Sequence, residues 1–146
     1  MFKIEKVRCE HLDGIAEIEQ LCFSDPWTRE SLELFVGDSA RALTATDESG
    51  RVLGYVGMLC VLDEGQIINV AVHPDARRKG IARALMDELF ELCTELKITF
   101  LSLEVRESNV AARTLYAACG FEECGVRKNF YSHPIENAIV MTREYK

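Results

Sequence analysis

The sequence lacks an apolar run of the roughly 20 residues that a membrane-spanning helix requires. Its first residues, M-F-K-I-E-K, also lack the apolar core of a secretory signal peptide. We therefore expect a cytoplasmic protein without membrane partners. The chain has 146 residues, of which 48% are hydrophobic and 28% are charged. This size and composition predict one globular domain over residues 1–146.

Metal-binding and nucleotide-binding motifs are also missing. The six cysteines form no C-x-x-C pair and the three histidines are scattered, so we expect no zinc site. Free thiols are expected instead of disulfides. The sequence contains neither the G-x-x-x-x-G-K-[ST] phosphate-binding loop nor the three-glycine dinucleotide fingerprint.

Positive charge is scarce, because the formal net charge is -7 at pH 7. This balance argues against non-specific nucleic-acid binding. It suits a cationic substrate such as a basic peptide or an amine. The alternative is that the charge serves only solubility.

Apolar periodicity predicts a mixed α/β fold with a largely antiparallel sheet and one right-handed crossover. The predicted strands are 2–7, 40–46, 51–62, 66–72, 99–105, 121–131 and 138–145. The predicted helices are 10–22, one beginning near Thr28, one beginning after Gly80 and one capped by Ser108 or Asn109. The apolar faces of the first two are Leu12, Ile15, Ile18, Leu21 and Cys22, then Leu32, Phe35 and Val36.

The segment V-A-V-H-P-D-A-R-R-K-G-I-A at 70–82 reads as a strand, a basic turn and a helix start. The first N–H groups of a helix have no partner inside it, and the helix dipole favours negative charge there. Gly80 lets a ligand approach the backbone without a Cβ in the way, and Ala82 is small. We expect a phosphate or pyrophosphate at this position. The alternative is an ordinary turn with a solvated basic surface.

Three polar side chains follow this segment in an otherwise apolar region. Alternation places Glu104 on the opposite face of its strand from Leu103 and Val105, and a carboxylate there needs a partner or a role. A salt bridge to Arg106 or Arg113 is the alternative. Asn109 and Tyr116 have structural alternatives too, as a helix cap and a packed core tyrosine.

Three segments together resemble the GNAT acyl-CoA-dependent N-acetyltransferases. They are N-V-A-V-x-P-x-x-R-R-K-G-I-A-R-A-L, L-E-V-R-x-S-N-x-A-A and L-Y-x-x-C-G-F. The first carries the family's R/Q-x-x-G-x-G/A coenzyme loop as Arg77, Gly80 and Ala82. F-S-D-P-W at 23–27, L-E-V-R-x-S-N at 103–109 and R-K-N-F-Y at 127–131 resemble the RimI branch, the ribosomal-protein-alanine N-acetyltransferases. Phe130 stands where that branch often has a second tyrosine.

The resemblance implies that acetyl-CoA lies between two splayed central parallel strands and that no metal is needed. The implied coenzyme contacts are Val70, Ala71, Val72, Arg77, Arg78, Lys79, Gly80, Ile81, Ala82 and Asn109. Glu104 matches the family's general base and Tyr116 its general acid.

The resemblance also implies a substrate, the N-terminal alanine of a small-subunit ribosomal protein, protein 18. Trp27 and Tyr131 are our candidates for lining the peptide groove, although Trp27 could equally be tucked into the core. Two alternatives stay open: a GNAT enzyme for a small amine or a lysine, and a non-catalytic acyl-CoA-binding regulatory module.

Overall fold

The structure is a computed structural model that describes residues 1–37 and 40–144. Its seven strands form one sheet in the order β1-β2-β3-β4-β5-β7-β6, and three α-helices flank it. The strands are β1 Phe2–Lys6, β2 Ala40–Asp47, β3 Val52–Val61, β4 Glu64–Val72, β5 Phe100–Arg106, β6 Glu122–Ser132 and β7 Ile135–Glu144. The α-helices are α1 Leu12–Cys22, α2 Ile81–Glu95 and α3 Val110–Ala118, and short 3₁₀ helices cover Cys9–His11, Ser31–Val36 and Pro74–Ala76. The predicted α/β class and largely antiparallel sheet are confirmed.

Strands β4 and β5 form the parallel pair, and they pair along only part of their length. Residues Glu64–Gln66 lie opposite Phe100–Ser102, and the described ladder stops there. Beyond that point β4 pairs with β3 up to Val72, while β5 pairs with β7 up to Arg106. The carboxyl halves of β4 and β5 therefore diverge and leave a cleft in the middle of the sheet.

The helices cover both faces of the sheet. Alternation along β3 sends Tyr55 to one face and Val56 to the other, because side chains in a strand have a period of two. Tyr55 packs in a cluster with α1 and the Ser31–Val36 helix, and Val56 packs in a larger cluster with α2. Within the described residues, no helix combines the length and the apolar character needed to cross a membrane.

Several local predictions were wrong. The second helix is a 3₁₀ helix, in which residues three apart share a face, so Leu32 and Phe35 are buried while Val36 is exposed. Leu21 is also exposed, because the buried face of α1 runs through Leu12, Ile15, Ile18 and Glu19. Strand β4 begins at Glu64 instead of Gln66, and β7 begins at Ile135 instead of Ala138. The predicted end of the last strand, Tyr145, lies outside the described residues.

The sequence predicts free buried thiols, and only some of the six cysteines are buried. All six cysteines are free. Cys93 and Cys119 are buried, whereas Cys9 and Cys124 are exposed.

Candidate active site

Two cavities meet at the cleft between β4 and β5. One, the Glu104 cavity, has a volume of about 510 Å³ and also contains Trp27 and Tyr131 in its wall. The other, the Gly80 cavity, has a volume of about 480 Å³ and follows the loop that precedes α2. Six residues line both cavities: Cys22, Phe23, Val70, Asn109, Ala112 and Tyr116. The two cavities therefore adjoin along these six residues, which we call the shared wall.

The start of α2 forms the floor of the Gly80 cavity. Gly80 is in the left-handed region at φ +77°, and Arg78 adopts φ +64° two residues earlier. The first backbone hydrogen bond into this turn runs from the Ala84 N–H to the Gly80 carbonyl at 3.0 Å, so the helix does not use the N–H groups before Ala84. The first turn contains no acidic residue, and a Cβ at Gly80 would meet no atom within 4 Å. The open space and unused donors fit an anionic ligand.

The three cations of this loop have different surroundings. Arg77 donates from Nη2 to the Cys22 Sγ and from Nε to the Val72 carbonyl, each at 3.4 Å. Across residues 1–37 and 40–144, neither Arg78 nor Lys79 is in an ion pair. Arg77 thus holds the loop against β4, and Arg78 keeps its charge available to a ligand in the Gly80 cavity. Lys79 lines a different cavity, beside Asp47 and Asp75.

Strand β4 presents part of its backbone to the cleft. The His73 N–H donates to the Leu53 carbonyl on β3 at 2.7 Å. Because backbone groups alternate between the two edges of a strand, Ala71 also faces β3, whereas Val70 and Val72 face the cleft. Of the three predicted coenzyme contacts on this strand, the first and third offer N–H donors to the cleft. Ala71 is buried in the wall behind them.

Glu104 lies near the carboxyl end of β5, on the wall of its cavity. Its Oε2 is 3.0 Å from the Arg127 Nε, and its Oε1 accepts a hydrogen bond from the Gln66 Nε2 at 3.3 Å. The expected alternative partners have other contacts, since Arg106 pairs with Glu136 and Arg113 pairs with Glu123. The salt-bridge alternative therefore named the wrong arginines.

Tyr116 is buried on α3 and belongs to the shared wall. Its ring packs against Phe121, with the centroids 6.1 Å apart. Its hydroxyl makes no hydrogen bond within the described part of the chain. Burial raises the pKa of this hydroxyl, so it stays protonated at neutral pH. A buried polar atom without a protein partner fits a position that meets a ligand.

Asn109 starts the same helix and also belongs to the shared wall. Its Oδ1 accepts a hydrogen bond from the Ala112 N–H at 3.1 Å, which caps α3. The structural alternative for this residue is therefore present. Asn109 also lines both cavities, so the predicted contact with the coenzyme stays a prediction.

The two aromatic candidates both line the Glu104 cavity. Trp27 stacks on Phe35 at 5.3 Å between centroids, so it packs on the core as well as lining the cavity. Tyr131 lies beneath the Arg106 guanidinium, which is 4.3 Å from the ring centroid. Burial, with a smaller contribution from the charge of Glu104, raises the pKa of Tyr131 to about 12.

The sequence reasoning missed one buried group, Glu19 on α1. Its carboxylate accepts hydrogen bonds from the Tyr55 hydroxyl at 2.6 Å, the Trp27 N–H at 2.8 Å and the Asn69 Nδ2 at 3.1 Å. Burial raises its pKa despite these donors. Glu19 lies seven residues after Leu12 and four after Ile15, so helical spacing already placed it on the buried face.

Comparison with known proteins agrees with these features. Residues 12–121 match the model of the acetyltransferase (GNAT) family. The chain belongs to the GNAT acetyltransferase family. It is therefore an acetyl-CoA-dependent N-acetyltransferase, and the predicted resemblance is confirmed.

Individual relatives cover almost the whole chain. A protein of Bacillus subtilis (strain 168), provisionally named a [ribosomal protein bS18]-alanine N-acetyltransferase, is 37% identical over 94% of this chain and 92% of its own length. The Escherichia coli (strain K12) [ribosomal protein bS18]-alanine N-acetyltransferase is 33% identical over 97% of this chain and 96% of its own length. The crystal structure of the ribosomal-protein-S18-alanine N-acetyltransferase from Escherichia coli superposes with a TM-score of 0.91, covering 99% of this chain and 94% of that one.

Proposed function

We propose that this chain, as one domain over residues 1–146, acetylates the α-amino group of the N-terminal alanine of small-subunit ribosomal protein 18. The observation that carries the proposal is the junction of the two cavities, where Tyr116 stands in the shared wall and Glu104 faces one side. The printed names of the relatives support the choice of substrate.

The Gly80 cavity suits acetyl-CoA, which supplies the acetyl group as a thioester. The N–H groups at the start of α2 and the Arg78 side chain in the cavity wall would hold its pyrophosphate, and the positive charge of Lys79 is next in the chain. The free edge of β4 at Val70 and Val72 would pair with the pantetheine arm. Asn109 would contact the coenzyme from the start of α3. The diverging strands leave room for this arm because their ladder ends at Gln66 and Ser102.

An amine attacks a thioester only as the free base, and this favours an α-amine. An N-terminal amine has a pKa near 7.7–8.0 and a lysine side chain has one near 10.4. Deprotonation at pH 7 therefore costs about 1 kcal/mol for the first and about 4–5 kcal/mol for the second. Glu104 would accept the proton, through a water molecule, as the amine attacks the carbonyl carbon directly.

Groups on β4 and α3 would stabilise the two other negative charges of the reaction, on the oxyanion and on the departing thiolate. N–H groups on the cleft edge of β4 would stabilise the oxyanion that forms from the thioester carbonyl. Tyr116 would donate its proton to the departing thiolate. The Tyr116 hydroxyl has no hydrogen-bond acceptor within the described residues, so its proton could turn toward the thiolate.

The Glu104 cavity suits a basic peptide. Its wall contains three carboxylates, on Asp25, Glu104 and Glu136, against one arginine, Arg106, and the whole chain carries a net charge of -7. Trp27 and Tyr131 would flank the first residues of the peptide. A ribosomal protein as substrate would place the enzyme in the cytoplasm, and nothing in this scheme requires nucleic acid.

The test is a competition between two peptides. The enzyme is incubated with acetyl-CoA and a short alanine-started, arginine-rich peptide, and separately with an N-blocked copy that contains lysine. Coenzyme A release and peptide mass are followed together. We expect one acetyl group on the free N-terminus and none on the blocked copy. Acetylation of lysine, or coenzyme binding without turnover, would overturn the proposal in favour of the small-amine or lysine enzyme or the non-catalytic module.

A further inference from the structure

The ion pair on Glu104 points to a second role for the edge strand β6. Within the described residues, Arg127 is the cation in contact with the Glu104 carboxylate, with its Nε 3.0 Å from Oε2. The side chain of Glu104 is only 14% exposed, whereas that of Arg127 is 60% exposed. A largely fixed carboxylate is thus paired with a cation that reaches it from the solvent side.

The local backbone of β6 explains how Arg127 reaches Glu104. Arg127 pairs with Ala138 on β7, but the register shifts before Tyr131, which pairs with Glu136. Asn129 lies in this irregular segment at φ +54°, and its N–H donates to the Asn137 Oδ1 at 3.0 Å. A register irregularity re-aims the side chains around it. Here Arg127 contacts Glu104, which lines the Glu104 cavity, and Tyr131 lines the same cavity.

Arg127 also has another group to contact. Its guanidinium lies over the Phe130 ring at 5.8 Å from the centroid. A cation at this distance from an aromatic face is weakly attracted to it. The side chain can therefore leave Glu104 and remain over an aromatic surface.

We propose that Arg127 neutralises Glu104 in the free enzyme, in place of the substrate's α-ammonium group, and leaves Glu104 when the peptide N-terminus binds. The inference rests on the proposed function, because it takes the α-amine as the group that approaches Glu104. It makes Arg127 a specificity-determining residue: a peptide with a charged N-terminus replaces one cation by another, while a neutral N-terminus would leave Glu104 paired with Arg127.

The test measures peptide affinity in the complex with coenzyme A, in which no turnover occurs. An alanine-started basic peptide and its N-acetylated copy are titrated calorimetrically into the wild type, Arg127→Gln and Arg127→Lys. Exposed ion pairs are weak, so we expect Arg127→Gln to bind the free peptide about two- to fivefold more tightly. The N-acetylated copy should bind equally to both proteins, and Arg127→Lys should behave as the wild type because lysine keeps the cation.

Two controls separate local competition from a general change in charge. Lys128 is the exposed neighbour of Arg127, and Lys128→Gln removes the same charge, so it should leave both affinities unchanged. In a Glu104→Gln background, Arg127→Gln should give no further gain, because the carboxylate for which the two cations compete is gone.

The opposite results are equally clear. Weaker or unchanged binding of the free peptide by Arg127→Gln overturns the inference, as does an equal gain from Lys128→Gln. Turnover of the same peptide distinguishes a wrong role for Arg127 from a wrong proposed function. If the wild type acetylates the α-amine and Arg127→Gln shows no gain, only the role of Arg127 is wrong. If the wild type does not acetylate the α-amine, the proposed function fails and this inference fails with it.

Discussion

Glu104 lines its cavity, and Glu19 binds two other residues of the same wall, Trp27 and Asn69. The surroundings of these two glutamates differ in almost every respect. Glu19 is fully buried and is held by three donors from the loop after α1, from β3 and from β4. Glu104 is on β5, in contact with solvent-exposed Arg127 and with Gln66. The Glu19 carboxylate links three segments of the chain, whereas the partners of the Glu104 carboxylate can be exchanged.

The difference teaches how one residue type serves two purposes. A buried carboxylate with several fixed donors makes a rigid support, because each bond would be expensive to break without water. A carboxylate beside an open cavity, with an exposed counter-ion, can change partners at little cost. We therefore expect substitutions of Glu19 to affect stability and substitutions of Glu104 to affect chemistry.

The largest effect is expected for Glu104→Gln. The amide keeps the size of the side chain but cannot accept a proton, so kcat should fall by about 10²–10⁴-fold. Acetyl-CoA affinity and Tm should stay near those of the wild type. Steady-state kinetics, coenzyme titration and a thermal melt check the three quantities. Full activity of this variant would show that Glu104 is not the base.

Tyr116→Phe should follow, with a loss of about 10²-fold in kcat. The hydroxyl has no hydrogen-bond partner in the described structure, so its removal should not lower Tm. Tyr131→Phe is the matched variant, since it removes another hydroxyl with a raised pKa from the same cavity. An equal loss in both variants would contradict the assignment of the acid to Tyr116.

By contrast, Glu19→Ala should act mainly on folding. It leaves the Tyr55 hydroxyl, the Asn69 amide and the Trp27 N–H without their acceptor, and the free energy of unfolding should fall by about 3 kcal/mol. For a chain of this size, Tm should then fall by about 6–12 °C. Gln20→Ala, one exposed position further along α1, is the control and should leave Tm almost unchanged.

The same variant tests the raised pKa of Glu19. Because its pKa is higher in the folded protein than in the unfolded chain, its contribution to stability is fully present below the unfolded value, near 4.3. The contribution declines as pH rises through the folded value. The loss of stability in Glu19→Ala should therefore be larger at pH 4 than at pH 8, by denaturant unfolding at both. A loss that grows with pH would contradict the direction of the shift.

The smallest effect is expected at Gly80, in the cavity proposed for the coenzyme. Gly80 and Gly50 both adopt positive φ, and a Cβ at either would meet no atom within 4 Å. Gly80→Ala and Gly50→Ala should each lose about 1 kcal/mol of stability through backbone strain. Only Gly80→Ala puts a methyl group into the Gly80 cavity, so only it should weaken acetyl-CoA binding, by about two- to tenfold. If Gly80→Ala and Gly50→Ala bind acetyl-CoA equally well, the pyrophosphate does not bind at this loop.

The features that could be predicted from sequence depend on neighbouring residues. The turn and helix start at 77–82, the alternation of β5 and the cap at Asn109 are all encoded within a few positions. The features that were missed depend on which distant segments become neighbours. Glu19 meets Tyr55 and Asn69, 36 and 50 residues away, and the partner of Glu104 was assigned to nearby arginines instead of Arg127. Local periodicity carries no information about such partners.

Strand β6 lies at the end of the sheet, and ten of its eleven residues are exposed. An edge of this kind is a template for another chain to add a strand, which is a common route to aggregation. Two register shifts interrupt this strand, and four charges, on Glu122, Glu123, Arg127 and Lys128, lie along it. Such breaks and charges are how natural sheets discourage a foreign strand from docking. The register shift that directs Arg127 toward Glu104 therefore also helps to prevent folded molecules from associating through the edge of the sheet.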